Sequence, residues 1–234
     1  MVELLRPLLG YARGGGADAR WVVISGDAQF FTLTKRIHNH LHGVDGDGGG
    51  LGEDQRTLYE GALERNASEL SGLVRPRDVV ILHDPQTAGL VRSVLEAGAT
   101  VIWRCHVGLD VANDIAREAW SFLRSYVTEA DAYVLSRAMF AWEGLERERI
   151  AVIQPSIDAF ATKNADQTAE QSTAILARAA SSPAPRPPPP LRPRLGDRQP
   201  EALGEALDQI VDGESGLLVA DRAICVSSAS SPRR

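Results

Sequence analysis

The sequence predicts an α/β fold in which strands and helices alternate to build a doubly wound parallel sheet. Three observations predict it. Short apolar runs of strand length recur at residues 21–24, 79–82, 100–104, 132–135 and 150–153. Between them, apolar residues repeat at helical spacing. Each strand-like run then closes on polar, glycine or proline residues, as the connections of such a sheet require.

Taken in order, Val2, Leu4, Leu5, Leu8 and Leu9 trace an apolar helical stripe, with Pro7 acceptable only in a first turn or at a kink. Gly14, Gly15 and Gly16 end it. The strand 21–24 (WVVI) is closed by Ser25, Gly26 and Asp27, and Phe30, Leu33, Ile37 and Leu41 set the next helical period. Residues 43–52 (GVDGDGGGLG) read as a loop. Glu53 and Asp54 suit a helix N-terminus, and Leu58, Ala62, Asn66, Leu70 and Leu73 continue that helix. A helix over 87–97, stopped by Gly98, joins strands 79–82 and 100–104. Ile115, Ala119, Phe122, Leu123 and Tyr126 predict another helix, followed by strand 132–135, a short helix over 138–145 and strand 150–153.

Past Ala159 the pattern decays. The expected organisation is one Rossmann-like domain over residues 1–165, a helix near 166–180, a Pro- and Arg-rich linker over 181–200 (SSPAPRPPPPLRPRLGDRQP) and a short remnant with a frayed tail over 201–234. The four prolines from Pro187 to Pro190 suit either a polyproline II ligand or plain low complexity.

Composition narrows the function classes. The chain of 234 residues is 44% hydrophobic and 24% charged, enough to bury a core, and its formal charge of −6 gives no electrostatic footprint for nucleic acid or an anionic membrane. No apolar run approaches the ~20 residues that span a bilayer. Two lone cysteines, Cys105 and Cys225, without a secretory signal lead us to expect a reducing, cytoplasmic setting. The sequon Asn66-Ala67-Ser68 carries no weight without secretion.

The chemistry gathers between Asp78 and Asp110. His83-Asp84-Pro85 follows VVIL, and Arg104, Cys105 and His106 end the next strand. In an open parallel sheet, ligands bind in the crevice outside the carboxyl ends of the strands. His83 and Asp84 there either hydrogen-bond a small polar ligand or form a turn in which Asp84 satisfies backbone N–H groups. His106 either orients a ligand and exchanges a proton or is a satisfied structural histidine. Arg104 and Asp110 either complete a polar rim, or Arg104 simply pairs with a helix acid.

Other motifs fail on their spacing. His38 and His42 lie one helical turn apart, but no HExxH glutamate or third ligand accompanies them, so no metal is expected. In the stretch Asp45-Gly46-Asp47-Gly48, a calcium loop would place its bidentate glutamate at Arg56. GxGxxG, GxxxxGK[ST] and GxSxG are all missing, which argues against a dinucleotide cofactor and hence an epimerase.

Several segments in order, FFTLTKRIHNHLHG, VVILHDPQTAGLV, TVIWRCHVGLD, AWSFLRSYV, AYVLS and IAVIQPSIDAFATKN, resemble the N-terminal domain of the glycosyltransferring trehalose synthases. These are retaining enzymes of the two-Rossmann-domain, or GT-B, class. The resemblance runs from about Val2 to Asn164. It implies metal- and cofactor-free transfer of glucose from a nucleoside-diphosphate glucose donor to a glucose acceptor, giving trehalose, and it leaves a homodimer open. It implies that His106 sits beside the transferred sugar. By the same resemblance His83, Asp84 and Gln86 line the cleft, and Phe30, Phe31, Thr34 and Lys35 line the acceptor side.

The chain also departs from that family. Its relatives begin with a strand and a glycine-rich loop, whereas Met1 here already falls in the first helix, so a central strand is expected to be missing. The second domain, with its donor-phosphate site and paired glutamates, is expected to be reduced to IVDGESGLLVAD, in which Glu214 is not one of that pair. An internally deleted or frame-disturbed copy, weak or inactive alone, is the expectation. A sugar-binding or inert remnant is the alternative.

Overall fold

The computed structural model describes residues 2–155, 166–181 and 222–228. Six strands form one sheet in the order β1-β6-β2-β3-β4-β5, and every pair is parallel. The doubly wound parallel sheet expected from the alternation of elements is what forms. Residues 2–155 and 222–228 fall in one compact unit, and the helix Ala169–Ser181 falls in a second.

Helix α1 (Val2–Gly14) leads into β1 (Asp18–Ile24), with Pro7 inside the helix, past its first turn. Asp27 then starts α2 (Ala28–Leu41), its side chain accepting from the Phe30 N–H at 2.8 Å. Helix α3 (Glu53–Ser71) begins at the acidic pair, where the helix dipole favours negative charge. Strand β2 (Val79–His83), helix α4 (Val91–Glu96) and strand β3 (Thr100–Cys105) form the next unit, with a 3-10 turn at Ala88–Leu90 before α4. Helix α5 (Asp114–Val127), β4 (Ala132–Leu135) and β5 (Ile150–Val152) follow.

On the face that α2, α3, α4 and α5 cover, Val80, Leu82, Val101 and Trp103 of β2 and β3 are wholly buried, as the inner strands of a parallel sheet require. Phe30, Leu33, Ile37 and Leu41 of α2 are buried, as their spacing predicts. Tyr59 is wholly buried and packs on Phe30, Phe122 and Tyr126 at centroid distances of 5.9, 5.6 and 5.2 Å. Trp142 packs on Trp103 and Trp120 at 5.1 and 6.0 Å.

Two expectations change. Residues 138–145 form no helix beyond a 3-10 turn at Ala138–Phe140; Trp142 turns into the core, and Gly144 takes a positive φ of 92° that a helix cannot contain. The stretch expected to fray at the end of the 201–234 segment instead holds a strand. Arg222–Ser228 is strand β6, lying between β1 and β2, where Ile224 and Val226 are wholly buried. The Pro/Arg tract over 182–200 and the IVDGESGLLVAD segment lie outside the described residues. The helix expected near 166–180 is α6 (Ala169–Ser181), opened by a reciprocal pair of bonds between Thr168 and Gln171.

Candidate functional site

The site grows from the register of β2 against β3. His83 stands opposite Arg104, so the residues that follow, Asp84 and Cys105-His106, leave the sheet side by side at its carboxyl edge. The Asp84 N–H donates to the Arg104 carbonyl at 2.8 Å, one last ladder bond. The next bond is made by a side chain: Asp84 Oδ1 accepts from the His106 N–H at 2.8 Å. This geometry requires Asp84 to turn into the left-handed region, at φ 63°. Aspartate is one of the few residues that visits it readily, but here it precedes Pro85, which disfavours helical ψ. Such backbone strain costs about 1–3 kcal/mol and clusters at functional sites. The other described non-glycine residue at positive φ, Arg77, sits in the turn before β2, at the opposite end of that strand.

Neighbouring groups lock the turn. Thr87 donates its hydroxyl to the His83 carbonyl at 2.9 Å, and Trp103 donates its indole N–H to the Asp84 carbonyl at 3.3 Å. The Tyr59 hydroxyl donates to the Pro85 carbonyl and accepts from the Gly89 N–H at 3.0 Å. Three side chains, from α3, β3 and the turn itself, therefore hold Asp84 and its flanking backbone.

The two histidines meet directly. His83 Nδ1 and His106 Nε2 are 3.2 Å apart, with the rings within 10° of parallel. Burial, together with each site's positive neighbours, holds both imidazoles down at about 3, so both are neutral near pH 7 and one proton is shared between the facing nitrogens. Asp84 moves the other way, since burial pushes its carboxyl up to about 6. Arg104 is drawn down by burial, opposed by the charge of Asp84, and donates to the Ile153 carbonyl at 3.3 Å. His83 Nε2 is buried and has no hydrogen-bond partner among the described residues. Cys105, between these groups, has its thiol pushed well above the usual range by burial and is chemically quiet.

The structure thus brings His83, Asp84, Arg104 and His106 together and treats the remaining candidates differently. Gln86 follows Pro85, half-buried. Asp110 is exposed and pairs with Arg137 at 2.9 Å, so it joins the loop after β4. Phe30 is wholly buried in the core, and Thr34 is 1% exposed with its hydroxyl donating to the Phe31 carbonyl. Of the four α2 candidates only Phe31, half-buried, and Lys35, exposed, offer surface to a ligand. The Asp45–Gly48 turn wraps a cation of the chain itself: Asp47 accepts from Arg36 at 2.8 and 3.0 Å.

Asn66, a member of the α3 stripe in the sequence, has a supporting role that the helical pattern does not reveal. Asn66 is 5% exposed; its Oδ1 accepts from the Ser25 N–H at 2.9 Å and its Nδ2 donates to the Ser25 carbonyl at 2.9 Å. It clips α3 to the end of β1. An asparagine on the buried stripe of an amphipathic helix was the available signal, since a buried amide needs partners.

A single parallel Rossmann-like sheet with a polar cluster at its carboxyl edge is the architecture of one half of a two-Rossmann-domain, or GT-B, fold. The sequence comparisons specify the family: residues 1–142 match the family described as trehalose synthase, N-terminal domain, and the chain belongs to it. It is 34% identical over 178 residues to the trehalose synthase of Thermococcus litoralis, covering 76% of this chain and 41% of that protein. It is 32% identical over 181 residues to that of Rubrobacter xylanophilus, covering 76% and 42%. A trehalose phosphorylase of Pleurotus pulmonarius is 24% identical over 171 residues, 67% of this chain and 23% of its own length. The chain therefore spans about two-fifths of the trehalose synthases it matches. Among the described residues no helix is long and apolar enough to cross a membrane.

Proposed function

We propose that this chain is the acceptor half of a trehalose-forming glucosyltransferase. In the whole enzyme, glucose moves with retention from a nucleoside-diphosphate glucose to a glucose acceptor seated at the carboxyl edge of β2 and β3. The observation that carries this reading is the convergence of His83, Asp84, Arg104 and His106 there, in a member of the trehalose synthase N-terminal family.

The residues supply groups suited to a neutral polyol. The two uncharged imidazoles offer donor and acceptor nitrogens, with His83 Nε2 unpartnered. Asp84 spends one carboxylate oxygen on the His106 N–H and keeps the other to accept from a sugar hydroxyl. Arg104 offsets the charge of the Asp84 carboxylate beside it, so this edge meets a neutral sugar with its charges balanced. His106, fixed through its own backbone by Asp84, is the group nearest the transferred sugar. Phe31 and Lys35 of α2 extend the acceptor wall.

Departure of the diphosphate needs charge stabilisation, usually the largest catalytic contribution, and in this reading a donor half provides it. Purified chain incubated with UDP-glucose or ADP-glucose plus glucose is expected to form little or no trehalose. Robust turnover by the chain alone contradicts the assignment of donor stabilisation to another half. A non-enzymatic sugar-binding role shares the same acceptor site. It is distinguished by adding a donor-binding half: restored turnover supports the enzyme, whereas glucose binding without turnover supports the binding module.

A further inference from the structure

Ser136 follows β4 at the same edge as the two histidines. Cys105 stands opposite Leu135, so one step further on Ser136 falls beside His106. Val79, Ile102 and Val134 pack together on one face of the sheet, joined by Ile81. Side chains alternate between faces along a strand, and His83, Arg104, His106 and Ser136 each stand an even number of residues past a member of that group. The alternation therefore places all four on one face, across the neighbouring strands β2, β3 and β4.

The bonding of Ser136 sets it apart. It is 2% exposed, and its Oγ is buried without a hydrogen-bond partner among the described residues. Of the described side-chain atoms in that condition Ser136 Oγ is the one oxygen, and His83 Nε2 belongs to the same set. Two unpartnered polar atoms thus lie at the ends of β2 and β4, with His106 on the strand between them. Burying a hydroxyl without a partner is unfavourable, and an alanine would fill the end of a strand without that cost. What the hydroxyl offers in return is donor and acceptor capacity without charge, the match for a hydroxyl of a neutral sugar. Neither atom is open to water, so a sugar reaches them through a side-chain movement. Arg104 is placed to make it. Its guanidinium crosses from β3 past the end of β4 to the Ile153 carbonyl at 3.3 Å, a longer contact than the 2.9 Å bond from the Ile153 N–H to the Leu135 carbonyl.

We propose that Ser136 is a further acceptor-binding residue, whose hydroxyl hydrogen-bonds one hydroxyl of the sugar seated against His83 and His106. This inference rests on the function proposed above and adds to it a contact from the end of β4. The contact also discriminates between sugars, because one that lacks the matching hydroxyl leaves Ser136 Oγ unpaired in the complex.

Ser136→Ala in the full chain tests this through readouts that a structural role would move differently. Its Oγ has no partner to lose in the sugar-free chain, so the melting midpoint should stay level or rise. The dissociation constant for glucose, measured by NMR titration, should rise about 3- to 10-fold, the effect of one neutral hydrogen bond. One monodeoxyglucose should bind the unsubstituted chain more weakly than glucose does, yet bind Ser136→Ala as well as glucose does. A lowered midpoint reveals a structural partner for Oγ and overturns the proposal. An unchanged glucose affinity overturns it too, as does an equal loss for every monodeoxyglucose in both proteins. In those cases glucose binding by the unsubstituted chain leaves the function proposed above standing. No glucose binding by the unsubstituted chain overturns that function, and the role of Ser136 with it.

Discussion

Asp84 shows how one residue can organise a site. Its carboxylate replaces a carbonyl in the ladder, its backbone adopts a left-handed turn, and its carbonyl is held by Trp103. The identities at this edge were readable in the sequence, because polar residues directly after apolar strands stand out. The contact between His83 and His106 was not, because it depends on β2 and β3 being neighbours in register, which is a property of the topology. Phe30 shows the opposite failure: a place in a motif shared with relatives does not reveal whether a ring faces the cleft or the core. The charges make a pH prediction. His83 and His106 have folded values of about 3, below the ordinary histidine value, so between about pH 6.5 and 3 the unfolded chain binds more protons and stability falls on acidification. His38, lowered to about 4 by burial and by Lys35 and His42, adds in the same direction. Asp84, raised to about 6, opposes them: between pH 3.8 and 6 the folded state holds its proton more tightly, so this group loses stability as pH rises. With three histidines against one carboxylate, denaturant midpoints should fall as pH drops below about 6.5. Replacing His83 with Phe should flatten that slope, whereas an unchanged slope would show that the pair is not held neutral by burial.

At the scale of elements, the helices and strands come from local pattern, and the clips between them come from single polar side chains. The start of α3 at Glu53 was legible because a glycine-rich loop gives way to acidic residues at a helix N-terminus. Its attachment to β1 was not, because Asn66 reads locally as one more residue of a helical stripe. Asn66→Ala leaves the Ser25 N–H and carbonyl without that partner, with an expected cost of about 1–3 kcal/mol. Thermal melting should show a lowered midpoint for Asn66→Ala and also for Asn66→Leu, which keeps the bulk but removes the partners of the Ser25 N–H and carbonyl. A midpoint preserved in Asn66→Leu would indicate that bulk at this position, rather than the hydrogen bonds, is what matters. The turn at 138–145 follows the same logic: Trp142 anchors to Trp103 and Trp120, and Arg124 donates to the Glu143 carbonyl at 2.7 Å, so tertiary contacts override the local helical period.

At the scale of the molecule, the parallel sheet was evident from alternating segments, but its completion by β6 was not. Residues 222–228 (RAICVSS) form a short run with apolar residues only at its middle, and pairing with β1 some 200 positions earlier leaves no local trace. The sheet matters to function because it sets β2 beside β3 and fixes their carboxyl ends as one edge. In the proposed function this edge seats the acceptor sugar. The direct measurement is an NMR titration of the purified chain with glucose, following the imidazole nitrogens of His83 and His106 and the backbone amide of Asp84. Saturable shifts at all three, with those of His83 and Asp84 lost in His106→Ala with the fold intact, are the predicted result. A titration that leaves these signals unmoved, or that shifts His83 and Asp84 equally in His106→Ala, would contradict it.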